Sequence, residues 1–216
     1  MLSETQIRQM MPRAGMRLDE HLPFIEEALV WGKIAEPLDV ADFFAQLAHE
    51  SGEYKFMREI HDGSNYEGRL DLGNTEPGDG IRYPGRGGIQ VTGRAAARAA
   101  GLALGVDFEN DPGKMELPEW ATKVSAWFWT VYKPYLQPAS RAGWFRVTTK
   151  IVNGGYNGWA DRLDYYTRNR NILKLPPYTP IDEEAAIIKF QITHGLATDG
   201  VGPITLKKLK ETLPCL

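Results

Sequence analysis

The stretch Asp39-Val40-Ala41-Asp42-Phe43-Phe44-Ala45-Gln46-Leu47-Ala48-His49-Glu50-Ser51-Gly52 decides the fold class. Val40, Phe43, Phe44, Leu47 and Ala48 recur at helical spacing and build an apolar stripe along an α-helix. Asp39 is placed to cap its start, and Gly52 ends it, because glycine closes helices that other residues would extend. Phe43, Leu47 and Glu50 stand at i, i+4 and i+7, so the Glu50 side chain continues the stripe. A carboxyl group set against apolar surface loses hydration and holds its proton closer to neutrality, the state that general acid catalysis needs. The plainer reading is a Glu in a last helical turn that reaches out to solvent.

Working outward, the spacing predicts helices over 3–11 and 20–31, split by Pro12 and Gly15. Helical patterns return at 94–104, 118–133, 144–152 and 158–173. A stiff Leu175-Pro176-Pro177-Tyr178-Thr179-Pro180 linker follows, then short helices over 182–194 and 205–213 joined at Asp199-Gly200. No strand pair stands out, so the fold reads as mainly α. The 216 residues suit one good-sized domain with a small appendage, divided here as 1–174 and 181–216. Residues 63–93 break the pattern: they are rich in glycine, with Pro77 and Pro84, and carry Tyr66, Arg82, Tyr83 and Arg86. A loop of that length inside a compact domain is functional or disordered, and the interleaved aromatic and basic residues favour an ordered binding surface.

Several classes of function recede. Twenty-five Lys and Arg against 28 Asp and Glu give a net charge of −3, without the basic excess of a nucleic-acid binder. His21, His49, His61 and His194 lack paired metal-ligand spacing, so neither a catalytic metal nor another cofactor is expected. Gly85–Gly88 is not followed by the Gly-Lys-Ser/Thr of a phosphate loop. Trp120, Trp127 and Trp129 have helical spacing and read as core. Cys215 is the only cysteine, so no intrachain disulfide forms. Met1-Leu2-Ser3-Glu4-Thr5-Gln6 has neither the basic start nor the apolar run of a signal peptide, and no run approaches the ~20 apolar residues of a membrane span. The expectation is a monomer without stable membrane association.

A glycosidase needs a second carboxylate across the bond from its acid. Glu59 lies nine positions beyond Glu50, and the break at Ser51-Gly52 lets it return across a cleft instead of following the helix away. Around this pair stand Ala48-His49-Glu50-Ser51-Gly52, Arg58-Glu59, Tyr66-Glu67-Gly68-Arg69 and Leu72-Gly73-Asn74-Thr75-Glu76-Pro77-Gly78-Asp79-Gly80. Tyr83-Pro84-Gly85-Arg86-Gly87-Gly88-Ile89-Gln90-Val91-Thr92-Gly93-Arg94, Val152-Asn153-Gly154-Gly155 and Asp161-Arg162 follow in order. Over about residues 3–173 this set resembles the family 19 glycoside hydrolases, chitinases and their phage endolysin branch.

The resemblance implies an α-rich, bilobal lysozyme/chitinase-like domain with a cleft, and hydrolysis with inversion. It implies Glu50 as general acid, Glu59 as the base, and Thr92 as a holder of the attacking water. Tyr83, Arg86, Gln90, Asn153 and Arg162 are implied on the cleft, as substrate-binding or carboxylate-pairing residues. Two positions depart from the family: Ala96-Ala97 stand where relatives often have Asn-Tyr, and Pro84 replaces a basic residue.

At the other end, Phe190-Gln191, Asp199-Gly200 and Gly202-Pro203-Ile204-Thr205 resemble half of a peptidoglycan-binding repeat. Together the two resemblances imply an endolysin made in the host cytoplasm that hydrolyses the β-1,4 bonds of peptidoglycan glycan strands after release to the wall. A chitinase, a lytic transglycosylase and a non-catalytic wall-binding protein are the competing readings.

Overall fold

Prolines and glycines set most of the helix boundaries. The computed structural model describes residues 2–198 and 200–212; Asp199 of the expected turn and Cys215 lie outside them. Helix α1 (Glu4–Met10) opens on a capping box, in which the Ser3 hydroxyl accepts from the Gln6 N–H at 3.2 Å and the Gln6 side chain accepts from the Ser3 N–H at 2.9 Å. Then come α2 (Met16–Trp31), α3 (Pro37–Ser51), the single-turn α4 (Asp79–Arg82) and α5 (Arg94–Leu104). Helix α6 (Pro118–Trp127) runs on through a π-type turn at Phe128–Tyr132. Next are α7 (Leu136–Arg141), α8 (Phe145–Asn153), α9 (Trp159–Ile172), α10 (Pro180–Thr193) and α11 (Pro203–Thr212). Helix α7, with Pro138 inside six residues, gives no periodic signal in the sequence.

Helix α3 is the axis of the molecule. It starts two residues before Asp39, because Pro37 takes the first helical position, where its missing N–H costs nothing. Asp39 is therefore not the cap. It is fully buried, accepts from Trp129 Nε1 and Gln137 Nε2, both at 2.8 Å, and burial pushes its carboxyl up to about 6. Helices α7, α8 and α9 pack around α3, so its apolar residues face inward on several sides and not along one stripe. Phe43 meets Trp129 edge-on at 5.6 Å, and Trp127 and Trp129 are both core residues.

The glycine-rich segment is ordered by close backbone crossings. A Cβ on Gly63 would lie 2.3 Å from the Gly80 carbonyl, and one on Gly80 would lie 2.6 Å from the Glu67 nitrogen, so only glycine fits either position. Instead of a sheet it holds isolated antiparallel bridges, Arg58 to Arg86 and Arg86 to Val91. The loop is anchored to α5 by Arg94, which pairs with the buried Asp79 carboxylate and holds it below the usual range.

The C-terminal helices pack onto α7 and α8. Trp144 meets Phe190 edge-on at 5.4 Å, and Leu209 is buried against Ala139 and Trp144. From α10, the buried Glu183 carboxylate caps α8: it accepts from the Arg146 N–H at 3.0 and 3.1 Å and from the Tyr178 hydroxyl at 2.5 Å. Deleting 181–216 strips that cap and exposes Trp144 and Val147, at a cost of about 3 kcal/mol. The expected result in a thermal melt is a midpoint about 10 °C lower. An unchanged midpoint would show that the tail adds nothing to the fold.

Candidate active site

Glu50 sits in the last turn of α3, where Gly52, at φ 56°, turns the chain out of the helix. Its carboxyl group is gripped from behind by Arg162 of α9, a fully buried guanidinium. Arg162 spends its donors on three partners: Glu50 Oε1, Gln46 Oε1 at 2.5 Å and the Asn157 carbonyl at 3.1 Å. Gln46 stands one turn before Glu50 and donates in turn to Thr149 at 3.0 Å and to Asp42 at 3.3 Å. Burial pushes the Asp42 carboxyl well above the ordinary carboxylate range. The Glu50 side chain keeps 18% of its exposure while that of Arg162 keeps 1%, so solvent reaches the carboxyl group but not the guanidinium beneath it. No protein donor among the described residues meets Glu50 Oε2.

Asn153 closes the same wall. It ends α8, and its Oδ1 accepts from the Asn157 N–H at 3.1 Å, so the loop that feeds Arg162 also carries Asn153. His49 pairs with Asp161 at 2.7 Å and lies against Gly158, where a Cβ would fall 2.1 Å from its ring. It pins the start of α9.

Glu59 is set by the opposite segment. Residues 57–59 run antiparallel to 85–87: the Glu59 N–H donates to the Gly85 carbonyl at 2.8 Å and the Gly87 N–H to the Met57 carbonyl at 2.8 Å. Each oxygen of the Glu59 carboxylate accepts one bond, Oε1 from the Tyr66 hydroxyl at 2.9 Å and Oε2 from the Gly85 N–H at 3.0 Å. Burial and the neighbouring Glu59 push Tyr66 up to about 12, so it stays a donor at neutral pH.

Gln90 is held in a left-handed conformation, φ 57°, with its amide donating to the Phe56 and Gly87 carbonyls at 3.0 and 2.9 Å. A Cβ on Gly85 would lie 2.9 Å from Gln90 Oε1 and 3.3 Å from Glu59 Oε2, so the two side chains flank one residue. The Thr92 hydroxyl donates to the Gln90 carbonyl at 3.0 Å, and its lone pairs remain as acceptors.

Two short links fix one wall against the other. Gly88 is pressed onto α3, where a Cβ would lie 2.3 Å from Leu47 Cδ1, one turn before Glu50. Phe56, whose carbonyl holds Gln90, donates its own N–H to the Ser51 carbonyl at 2.8 Å.

Two residues expected on the cleft are not there. Tyr83 is buried, its hydroxyl donating to the Glu109 carbonyl at 2.7 Å and its ring lying beneath Arg82 and Arg94. Arg86 is also buried, paired with Glu116 and donating to the Arg82 carbonyl at 3.2 Å. Both serve the loop's own packing. Conversely, Gln46, Tyr66 and Asn157 position the carboxylates without having been singled out for it. Gln46 alone had a readable signal, its i, i+4 spacing to Glu50.

No family model matches the chain. A family 19 glycosyl hydrolase domain-containing protein of Haemophilus influenzae is 31% identical over 116 residues, covering 53% of this chain and 54% of its own length. An endochitinase of Arabidopsis thaliana is 32% identical over 146 residues, covering 64% of this chain and 49% of its own. The chain spans about half the length of these curated relatives. Among solved structures, chitinase C from Streptomyces griseus superposes with a TM-score of 0.68 at 23% identity, over 83% of this chain and 79% of its own. The mainly helical architecture is thus of the family 19 chitinase/lysozyme-like type. The chain is similar in sequence to family 19 glycosyl hydrolases over part of its length, and it shares the fold of a solved chitinase.

Proposed function

We propose that this chain is a glycoside hydrolase that cuts the β-1,4 bonds of peptidoglycan glycan strands with inversion, Glu50 acting as acid and Glu59 as base. One observation carries the reading. Two carboxyl groups from different segments are fixed by the protein, Glu50 through one oxygen by Arg162 and Glu59 through both by Tyr66 and the Gly85 N–H, and both side chains stay partly exposed.

With a strand bound, Glu50 Oε2 delivers a proton to the glycosidic oxygen as the bond to C1 breaks. Arg162 fixes the other oxygen, so the proton-bearing atom points at the leaving group. Glu59 takes a proton from a water that attacks C1 on the opposite face, and the new C1–O bond has inverted configuration. Inversion needs about 6.5–9.5 Å between the carboxyl groups, room for that water. The Thr92 hydroxyl and the Asn153 amide are the polar groups assigned to hold it, and Gln90 Oε1 accepts from a sugar hydroxyl or amide.

Residues 1–174 form the catalytic domain in this reading, and 181–216 the wall-directed segment. The endolysin role rests on that segment's likeness to a peptidoglycan-binding repeat. The protein would act as a monomer, made in the host cytoplasm and admitted to the wall by a membrane lesion. Chitin is the second reading, favoured by the endochitinase relative. Digestion of purified peptidoglycan beside chitin, with mass analysis of the new ends, decides between them. Soluble fragments ending in reducing muramic acid are expected; cleavage of chitin alone would transfer the mechanism to the other polymer.

A further inference from the structure

A groove of about 530 Å³ opens where the C-terminal helices meet the catalytic domain, within the roughly 300–1,000 Å³ of small-ligand sites. Its floor is apolar, with Val147 from α8, Ile187 from α10 and Leu206 from α11. On its rim, Arg146 and Lys150 stand one turn apart on α8, both exposed and neither in an ion pair among the described residues. Of the two acids from α10 that line it, Glu183 is consumed in capping α8, and Glu184 remains exposed. Tyr156, beneath the Arg146 guanidinium at 5.7 Å, lines the groove three residues after Asn153. Tyr156 thus belongs to the same loop as Asn157, whose carbonyl accepts from Arg162.

We infer that this groove binds the peptide stems that branch from peptidoglycan glycan strands. The inference rests on peptidoglycan being the substrate. A stem offers what the groove lacks: carboxylates for Arg146 and Lys150, aliphatic side chains for the floor, and an amine of a diamino acid for Glu184. A chitin chain carries no charge and no branch, so it has nothing for the two cations. Stem binding would also explain how a tail packed rigidly on the catalytic domain serves catalysis: it completes one wall of a recognition groove beside the cleft.

The test compares wild type with the Arg146→Gln/Lys150→Gln double variant on glycan strands bearing their peptides and on the same strands stripped by an amidase. The double variant is expected to lose about fivefold in kcat/KM on peptide-bearing strands, through KM, and nothing on stripped ones. Equal loss on both, or loss on neither, would overturn the inference. Should wild type cleave neither, the peptidoglycan reading itself fails. Titration of the isolated stem tetrapeptide then decides the groove separately, since binding weakened by the double variant supports it and absence of binding refutes it.

Discussion

Glu50→Gln is expected to reduce turnover by at least about 10², the usual scale for removing a general acid. The amide matches the carboxyl group in size, and its oxygen still accepts from Arg162, so the geometry of the wall survives. What disappears is the transferable proton on the cleft-facing atom. The substitution also puts a neutral amide in place of the carboxyl group that the buried Arg162 contacts, with the Gln46 side chain and the Asn157 carbonyl as its further acceptors. A stability cost of about 1–3 kcal/mol is therefore expected alongside the catalytic one. A thermal melt run with the turnover assay separates the two effects. A folded variant with near-normal activity would remove Glu50 from the mechanism.

Glu59→Gln is expected to depress hydrolysis about 10- to 10²-fold with the fold spared. Both carboxylate oxygens accept bonds in the native protein, and an amide can accept through only one. The Gly85 N–H cannot reverse its role, so the amide oxygen must face it and the NH2 must face Tyr66. The Tyr66 hydroxyl can turn and accept, which keeps both contacts. The base is lost while its scaffold is retained. The loss should be smaller than for Glu50→Gln, because Thr92 and Asn153, the groups proposed to hold the water, are untouched. Initial rates on soluble glycan fragments read the difference, and a fully active variant would argue for a reaction that needs no base.

The two carboxylates were legible in the sequence for different reasons. Glu50 lies on a helix whose period and glycine stop are local signals, and α5 and α8 end in the same way, at Gly105 and Gly154. Glu59 was legible only through the ordered motifs around it, since its geometry comes from an antiparallel clasp with residues 85–87. Tyr83 and Arg86 were misread because an aromatic and a basic residue among glycines look exposed. Glu109 and Glu116, which draw them inward, lie 26 and 30 residues further along.

Asp39 was misread because a proline start two residues earlier outranks a capping side chain. Other partnerships have no local signature at all. Glu53 is fully buried between Arg13 and Tyr165, 40 and 112 positions away, and only the packing of α1 against α9 brings the three together.

The central claim, hydrolysis by an acid and a base across one bond, is tested most directly by digesting peptidoglycan in ¹⁸O-labelled water and weighing the products. A base-activated water must place one labelled oxygen at C1 of each new reducing end, and this result is expected for the wild-type protein. Unlabelled products carrying 1,6-anhydro ends would mean that the muramic acid had closed on itself. In that case Glu59 would not be the base, and the mechanism proposed for this site would be wrong.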